Sequence, residues 1–131
     1  MTELVKLSML HTACFPNRPW TADDFAELKQ SGAEIILSDN SFLVYRQAAD
    51  ELEIITLGVH PDFRRSGTAN ALLGIMENDA RKSGVRGIFL EVGQDNDAAI
   101  ALYTKNGYKE IGIRKRYYNG VNAITMEKII N

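Results

Sequence analysis

"RRSGTANALLGIMENDARKSG", residues 64–84, decides how this chain of 131 residues is read. Two cations and two small residues stand where Ser, Asp or Asn ordinarily caps a helix, and an amphipathic run follows. Residues 69–82 put Ala69, Leu72, Leu73, Met76 and Ala80 on one face and Glu77, Asp79, Arg81 and Lys82 mostly on the other, which predicts a helix closed by Gly84. Before it, "LEIITLGVH" is rich in β-branched and aliphatic residues and ends at Pro61. After it, "RGIFLEVG" is the near-continuous apolar run of a buried central strand. Two strands joined by a crossover helix lie parallel.

A strand ending at Val59, a loop, and a helix starting near Gly67 bring unpaired backbone N–H groups and a positive dipole end to one place. Such a place binds anions. Gly67 lets the backbone approach a phosphate, Ala69 keeps the next turn uncrowded, and Arg64 and Arg65 add charge that does not titrate. A Walker A loop needs Lys-Ser or Lys-Thr after its last glycine, and Thr68-Ala69 stands there; a dinucleotide fingerprint needs three spaced glycines, and only Gly67 is present. On these residues alone, a plain connection with a flexible glycine and solvated arginines fits as well as a pyrophosphate site.

Outward from this unit the chain is evenly patterned. "ELVKLSMLHTAC" spaces Leu4, Leu7, Met9 and Leu10 as a helix, and "FPNRPW" breaks it. "TADDFAELKQSG" predicts a second helix with Thr21 as N-cap, acids in its first turn and Gly32 past its end. "AEIILSD" and "SFLVYRQAA" form a hairpin around Asp39 and Asn40, residue types that tolerate positive φ, and "LEIITLGVH" completes a meander. "NDAAIALYTKNGY" is a helix stopped at Asn106 and Gly107. "KEIGIRKRYY" and "NAITMEKII" close the chain as a pair around Asn119 and Gly120. The order is ααβββαβαββ, an α/β class with a mixed sheet.

The composition, 45% hydrophobic and 24% charged, suits one domain over residues 1–131 with a real core. No window carries the roughly 18 apolar residues of a membrane span, and "MTELVKLSML" lacks a signal-peptide pattern, so a cytoplasmic protein is expected. Cys14 is the single cysteine, which excludes an internal disulfide and a thiolate cluster, and His11 and His60 lack metal-ligand spacing. No metal is expected. A net charge of -2 with interspersed signs argues against a nucleic-acid surface, and the "RKR" run at residues 114–116 reads as a solvated strand or loop.

Three residues stand out chemically. Glu91 is a carboxylate inside "IFLEV", where desolvation would raise its pKa toward a working range; the alternative is a strand-end glutamate reaching water. Tyr103, read without any relative, is a core aromatic packed on Ala99 and Ile100. Asn96 opens its helix as an N-cap. Gly58 interrupts a strand pattern, as at a bulge or a close backbone approach.

"LGVHPDFRRSGTANALL", then "IFLEVGQDNDAAIALYTKNGY", then "RKRYY", resembles the GCN5-related N-acetyltransferase (GNAT) family over residues 53–129. Its consensus, Gln or Arg, two residues, Gly, one residue, then Gly or Ala, stands here as Arg64-Arg65-Ser66-Gly67-Thr68-Ala69. The bacterial ribosomal-protein N-terminal alanine acetyltransferases are the most similar branch: "LEV", an asparagine, "A-ALY", "GY" and paired tyrosines recur in this order. "CFPNRPWTADDF" looks like the helix-loop-helix over their acceptor site.

The resemblance implies a GNAT fold, a mixed and mostly antiparallel sheet in which the strands holding residues 53–59 and 87–92 are a central parallel pair that splays. It implies acetyl-coenzyme A as donor, its pyrophosphate on the N–H groups of Arg65, Ser66, Gly67, Thr68, Ala69 and Asn70, its pantetheine along Leu57, Gly58 and Val59, and a further hold from Asn96. The Val59 N–H would polarise the thioester carbonyl, Glu91 would be the base with Glu53 its rival, and Tyr103 would protonate the departing thiolate. The implied acceptor is a protein N-terminal amine, a ribosomal protein beginning with Ala first. A small-molecule amine, a lysine side chain, or a non-catalytic acyl-coenzyme A binding module are the alternatives. Many relatives carry an arginine where this chain has Gly93, and one of Tyr117 and Tyr118 would line the acceptor groove. Cys14 is expected as a small buried hydrophobe, Trp20 as a core anchor, and His60 stands where relatives carry an acid.

Overall fold

The computed structural model describes residues 2–118 and 120–130, with the side chains of residues 116–118 outside the description. Helices α1 (Glu3–Cys14) and α2 (Ala22–Gln30) precede strands β1 (Glu34–Leu37), β2 (Ser41–Ala48) and β3 (Glu51–Val59). A 3₁₀ turn (Pro61–Phe63) leads to α3 (Thr68–Lys82), then β4 (Gly87–Gly93), α4 (Asp97–Lys105), β5 (Lys109–Tyr118) and β6 (Val121–Ile129). The ααβββαβαββ order holds, with the 3₁₀ turn added. The sheet runs β1-β2-β3-β4-β6-β5, antiparallel except for β3 and β4, which are parallel. Among the described residues no helix is long and apolar enough to cross a membrane.

The pleat divides the core into two layers. Phe42 and Val44 face α1 and α2 with Leu7, Leu10 and Phe25, while Leu43, Leu52 and Ile54 face α3 with Leu72, Leu73 and Met76. Thr21 caps α2 in a full capping box with Asp24. Two details of helix patterning differ from expectation. Met9 is 58% exposed, and His11 takes the inward place in α1. Glu77 turns inward in α3, where the Lys128 ammonium 2.7 Å away and the Tyr108 hydroxyl at 3.1 Å satisfy its carboxylate. The first hairpin closes through Ser38 N donating to Ser41 O, with neither Asp39 nor Asn40 at positive φ; among the described residues only Ala49 and Arg65 combine a side chain with positive φ.

The bulge falls at Ile55, three residues before the expected position. Val44 pairs with Thr56 and Tyr45 with Ile54, leaving Ile55 as the extra residue. It reverses the alternation of β3: Leu52 and Ile54 before it and Leu57 after it all pack on the α3 side. The parallel ladder to β4 ends at Ile54 and Leu90, while β4 stays paired with β6 as far as Gly93. The two strands therefore splay from the bulge onward. Gly58 serves a close approach, but from within the protein: a Cβ there would lie 2.6 Å from the Phe42 ring and 2.8 Å from the Cys14 sulfur. Gly58→Val is accordingly expected to cost about 2 kcal/mol or more in urea unfolding, because the fully buried Phe42 ring and the Cys14 sulfur must move within a packed core.

Candidate active site

The splay opens a cleft of about 130 Å³. One wall comes from α1 and the loop after it, with His11, Phe15, Arg18 and Trp20; the others come from residues 54–57 of β3, from Glu91, Val92 and Gly93 at the end of β4, and from Asn96, Ala99 and Tyr103 of α4. Segments distant in sequence, residues 54–57 and 91–93, thus line one cleft because the two central strands part there.

Backbone geometry along β3 follows from one hydrogen bond. His60 N donates to Asn40 O at 2.8 Å, which makes Ser41 and Val59 a non-hydrogen-bonded antiparallel pair. Val59 and, two residues back, Leu57 therefore turn their N–H and C=O groups away from β2, toward the side that β4 has left. Gly58 turns its own backbone groups to β2. The edge thus offers Leu57 and Val59, not Gly58, to a chain laid along it. Arg64 bends back to donate from Nε to the Val59 carbonyl at 2.9 Å, so part of its guanidinium is committed to the strand rather than to an anion.

Past the 3₁₀ turn, Arg65 (φ 64°) and Gly67 (φ 81°) both adopt the left-handed conformation, a curl that collects N–H groups into a concavity. Helices α1, α2 and α4 have side-chain caps from Thr2, Thr21 and Asn96, whereas Gly67 gives α3 none. The first N–H groups of α3, on Thr68, Ala69 and Asn70, have no intrahelical partner. Ser66 and Thr68 hydroxyls lie 2.8 Å apart at the rim, and Asn70 accepts from Asn106 of α4 at 2.8 Å. This concavity and the open β3 edge suit a pyrophosphate followed by an extended amide arm.

Glu91 is not the desolvated carboxylate its neighbours in sequence suggested. Its side chain is 27% exposed and accepts a hydrogen bond from Arg114 Nη1 at 3.0 Å, across β6 from β5. The reason is position: Glu91 stands where β4 has already parted from β3, so one flank is open. Glu53 lies on the still-paired part of β3, outside the cleft lining, 58% exposed and 3.7 Å from Arg46. The structure brings Glu91 to the cleft and leaves Glu53 away from it.

Tyr103 is 6% exposed and packs edge-to-face on Tyr108 at 5.5 Å between ring centres. It is a core aromatic and a cleft residue at once. Burial raises its pKa far above the usual phenol range, so the hydroxyl keeps its proton at neutral pH. Asn96 caps α4 by accepting from Ala99 N at 3.2 Å while facing the same cleft.

Cys14 is half-buried, and burial raises its thiol pKa against the opposing pull of Arg64, which leaves a thiol rather than a nucleophilic thiolate. Trp20 stacks on His11 at 4.5 Å and forms part of the cleft wall. His60 accepts from Asp62 N at 3.2 Å as the cap of the 3₁₀ turn. The side chains of Tyr117 and Tyr118 lie outside the described residues.

The comparisons with known proteins agree with this geometry. The Acetyltransferase (GNAT) family matches residues 12–108. The chain belongs to the GNAT family. It is an acetyl-coenzyme A-dependent N-acetyltransferase with the splayed parallel pair of that fold. The ribosomal protein bS18-alanine N-acetyltransferase of Escherichia coli is 34% identical over 110 residues, covering 76% of this chain and 71% of that protein. The N-alpha-acetyltransferase RimI of Mycobacterium tuberculosis is 42% identical over 80 residues, covering 60% and 49%. The crystal structure of the ribosomal-protein alanine N-acetyltransferase from Escherichia coli superposes with a TM-score of 0.89 at 29% identity, covering 100% of this chain and 90% of that one.

His11 is the site residue that sequence reasoning missed. It is 3% exposed, lies among Phe15, Trp20, Phe25 and Phe42, and has its pKa lowered from 6.5 to about 4, first by burial and then by Arg18, against Asp24. Its inward place in α1 is the only sequence signal that could have marked it. Between pH 6.5 and about 4 the unfolded chain takes a proton that the folded chain refuses, so stability falls as pH drops through that window and levels off below it. The expected contribution is about 3 kcal/mol. Urea midpoints measured across this range should fall more steeply for the wild type than for His11→Phe; parallel curves would refute the assignment.

Proposed function

We propose that this GNAT enzyme acetylates the N-terminal α-amine of a protein, with a ribosomal small-subunit protein beginning with Ala as the lead acceptor and the whole chain acting as one catalytic domain. The observation that carries it is the relatedness, at 34% and 42% identity, to two enzymes named for N-terminal amine acetylation, one of them specific by name for an alanine of a ribosomal protein.

The bound acetyl-coenzyme A supplies an acetyl group activated as a thioester. The unpaired N–H groups at Thr68, Ala69 and Asn70, with those of the curl through Arg65, Ser66 and Gly67, hold its pyrophosphate. The Leu57 and Val59 edge pairs with the amide arm, and the Val59 N–H meets the carbonyl oxygen as negative charge grows there. Glu91, held by Arg114, takes the proton that makes an ammonium non-nucleophilic. As the new C–N bond forms and the C–S bond breaks, Tyr103 gives its proton to the thiolate, and the second proton shed by the amine nitrogen passes through water to restore the Tyr103 hydroxyl. Asn96 holds the start of α4, which carries Tyr103 about two turns on.

The test is thiol release from acetyl-coenzyme A with a hexapeptide beginning Ala-Arg, beside the same peptide with a blocked amine. Turnover that requires the free amine is expected. Turnover of the blocked peptide through a lysine, or of small amines alone, would replace the acceptor assignment, and tight donor binding without any turnover would make the protein a binding module.

A further inference from the structure

One polar atom in the cleft wall is unexplained by packing. His11 Nδ1 is buried and, among the described residues, is the single buried side-chain nitrogen or oxygen without a hydrogen-bond partner. A buried nitrogen left unpaired has given up its hydration with nothing in return. Nothing in the surroundings asks for a nitrogen. The ring stacks on Trp20 with planes 14° apart, and Phe15, Phe25 and Phe42 complete the nest, so a phenyl ring would fill the place without that cost.

The nest is also rigid where it meets the cleft. Ser8 Oγ donates to the Trp20 carbonyl at 2.6 Å, which fixes the loop end that carries the stacking partner. Both His11 and Trp20 line the cleft, and so does Glu91 near the end of β4. Rotation of the imidazole by 180° about Cβ–Cγ would exchange Nδ1 with Cδ2 at no change in ring volume, so the nitrogen can change direction without overpacking the nest.

We infer that His11 binds the acceptor: its unpartnered nitrogen, turned to the cleft by that rotation, takes an N–H of the incoming amine, directly or through one water, from the α1 side of the cleft that Glu91 also lines. This rests on the proposal that a protein α-amine enters this cleft. A primary ammonium that has given one proton to Glu91 retains two N–H bonds. A fixed hydrogen-bond acceptor on the α1 side engages one of them and orients the nitrogen lone pair. The compensation for the orphaned nitrogen is thus the substrate itself, and it is present only when the acceptor is bound.

The experiment compares wild type, His11→Phe and His11→Gln with the Ala-Arg hexapeptide and acetyl-coenzyme A, each varied at saturating levels of the other. Expected for His11→Phe is a roughly tenfold rise in KM for the peptide, the scale of one lost hydrogen bond, with KM for acetyl-coenzyme A unchanged and the melting temperature equal or higher. His11→Gln, which restores a side-chain acceptor, should recover part of that loss. An unchanged peptide KM in His11→Phe overturns the inference, and so does a parallel rise in both KM values, which would mark a packing role. Failure of the wild type to acetylate any peptide overturns the α-amine proposal and this inference with it, whereas wild-type turnover with an unmoved peptide KM in His11→Phe overturns this inference alone.

Discussion

Replacing Glu91 by Gln is expected to lower kcat by a hundredfold or more at neutral pH, the range in which a positioned general base acts, while leaving KM for acetyl-coenzyme A nearly unchanged. Gln keeps the length and one oxygen that Arg114 can hold, so the cleft wall stays in place and the change isolates proton removal. Tyr103→Phe should lower kcat for a separate reason: it removes the hydroxyl and leaves the ring packed on Tyr108, so folding is spared while the leaving thiolate loses its proton donor. Glu53→Gln should stay near wild type, since that side chain is paired with Arg46 outside the cleft. Steady-state thiol release on the three variants checks all of this. A Glu91→Gln enzyme with more than a tenth of wild-type kcat would place the base elsewhere, and a collapse of Glu53→Gln would place it on β3.

The second large effect concerns folding. Glu77 of α3 is 8% exposed and held by Lys128 of β6 at 2.7 Å, by the Tyr108 hydroxyl at 3.1 Å and by Arg81 at 4.0 Å. Lys128 also lies 5.7 Å over the Tyr108 ring. Lys128→Met leaves a buried carboxylate with its nearest cation gone, and the expected loss is about 3 kcal/mol in urea unfolding. Because burial alone is cheap for a neutral amide that keeps the Tyr108 contact, adding Glu77→Gln should restore most of that stability. A double variant as unstable as Lys128→Met would show that the lysine contributes through its packed stem instead. The contact matters for function through α3, whose far end carries the open N–H groups, so the destabilised variant should also show a raised KM for acetyl-coenzyme A.

Local patterns carried most of the architecture. Thr21 announces α2 because a capping box is a contact between residues three apart, and both partners are visible in "TADD". Gly67 announces the turn into α3 because its φ of 81° is a property of one residue. The near-continuous apolar run of β4 and the intervening helix imply a parallel neighbour for β3, which the register bears out. The bulge at Ile55 was not legible. It occupies a run of β-branched and aliphatic residues, and the extra residue is defined only by counting against Val44 and Tyr45 on the partner strand. Glu77 and His11 were hidden likewise: each was assigned by its type or its neighbours in sequence, whereas each is buried because of partners, Lys128 51 positions away and Trp20 nine positions on, that no window of one helix contains.

The sequence by itself determined the order of elements, the caps of α2 and α4 and the glycine-led start of α3, because each depends on interactions within a few residues or on hydrophobic periodicity. Tertiary structure alone decided where β3 and β4 part, that Glu91 stands half-open beside Arg114 rather than desolvated, that Glu53 is kept from the cleft, and that a buried imidazole forms its wall. These are consequences of register and of approach between distant segments, and a side chain's environment is set by whatever the fold brings against it.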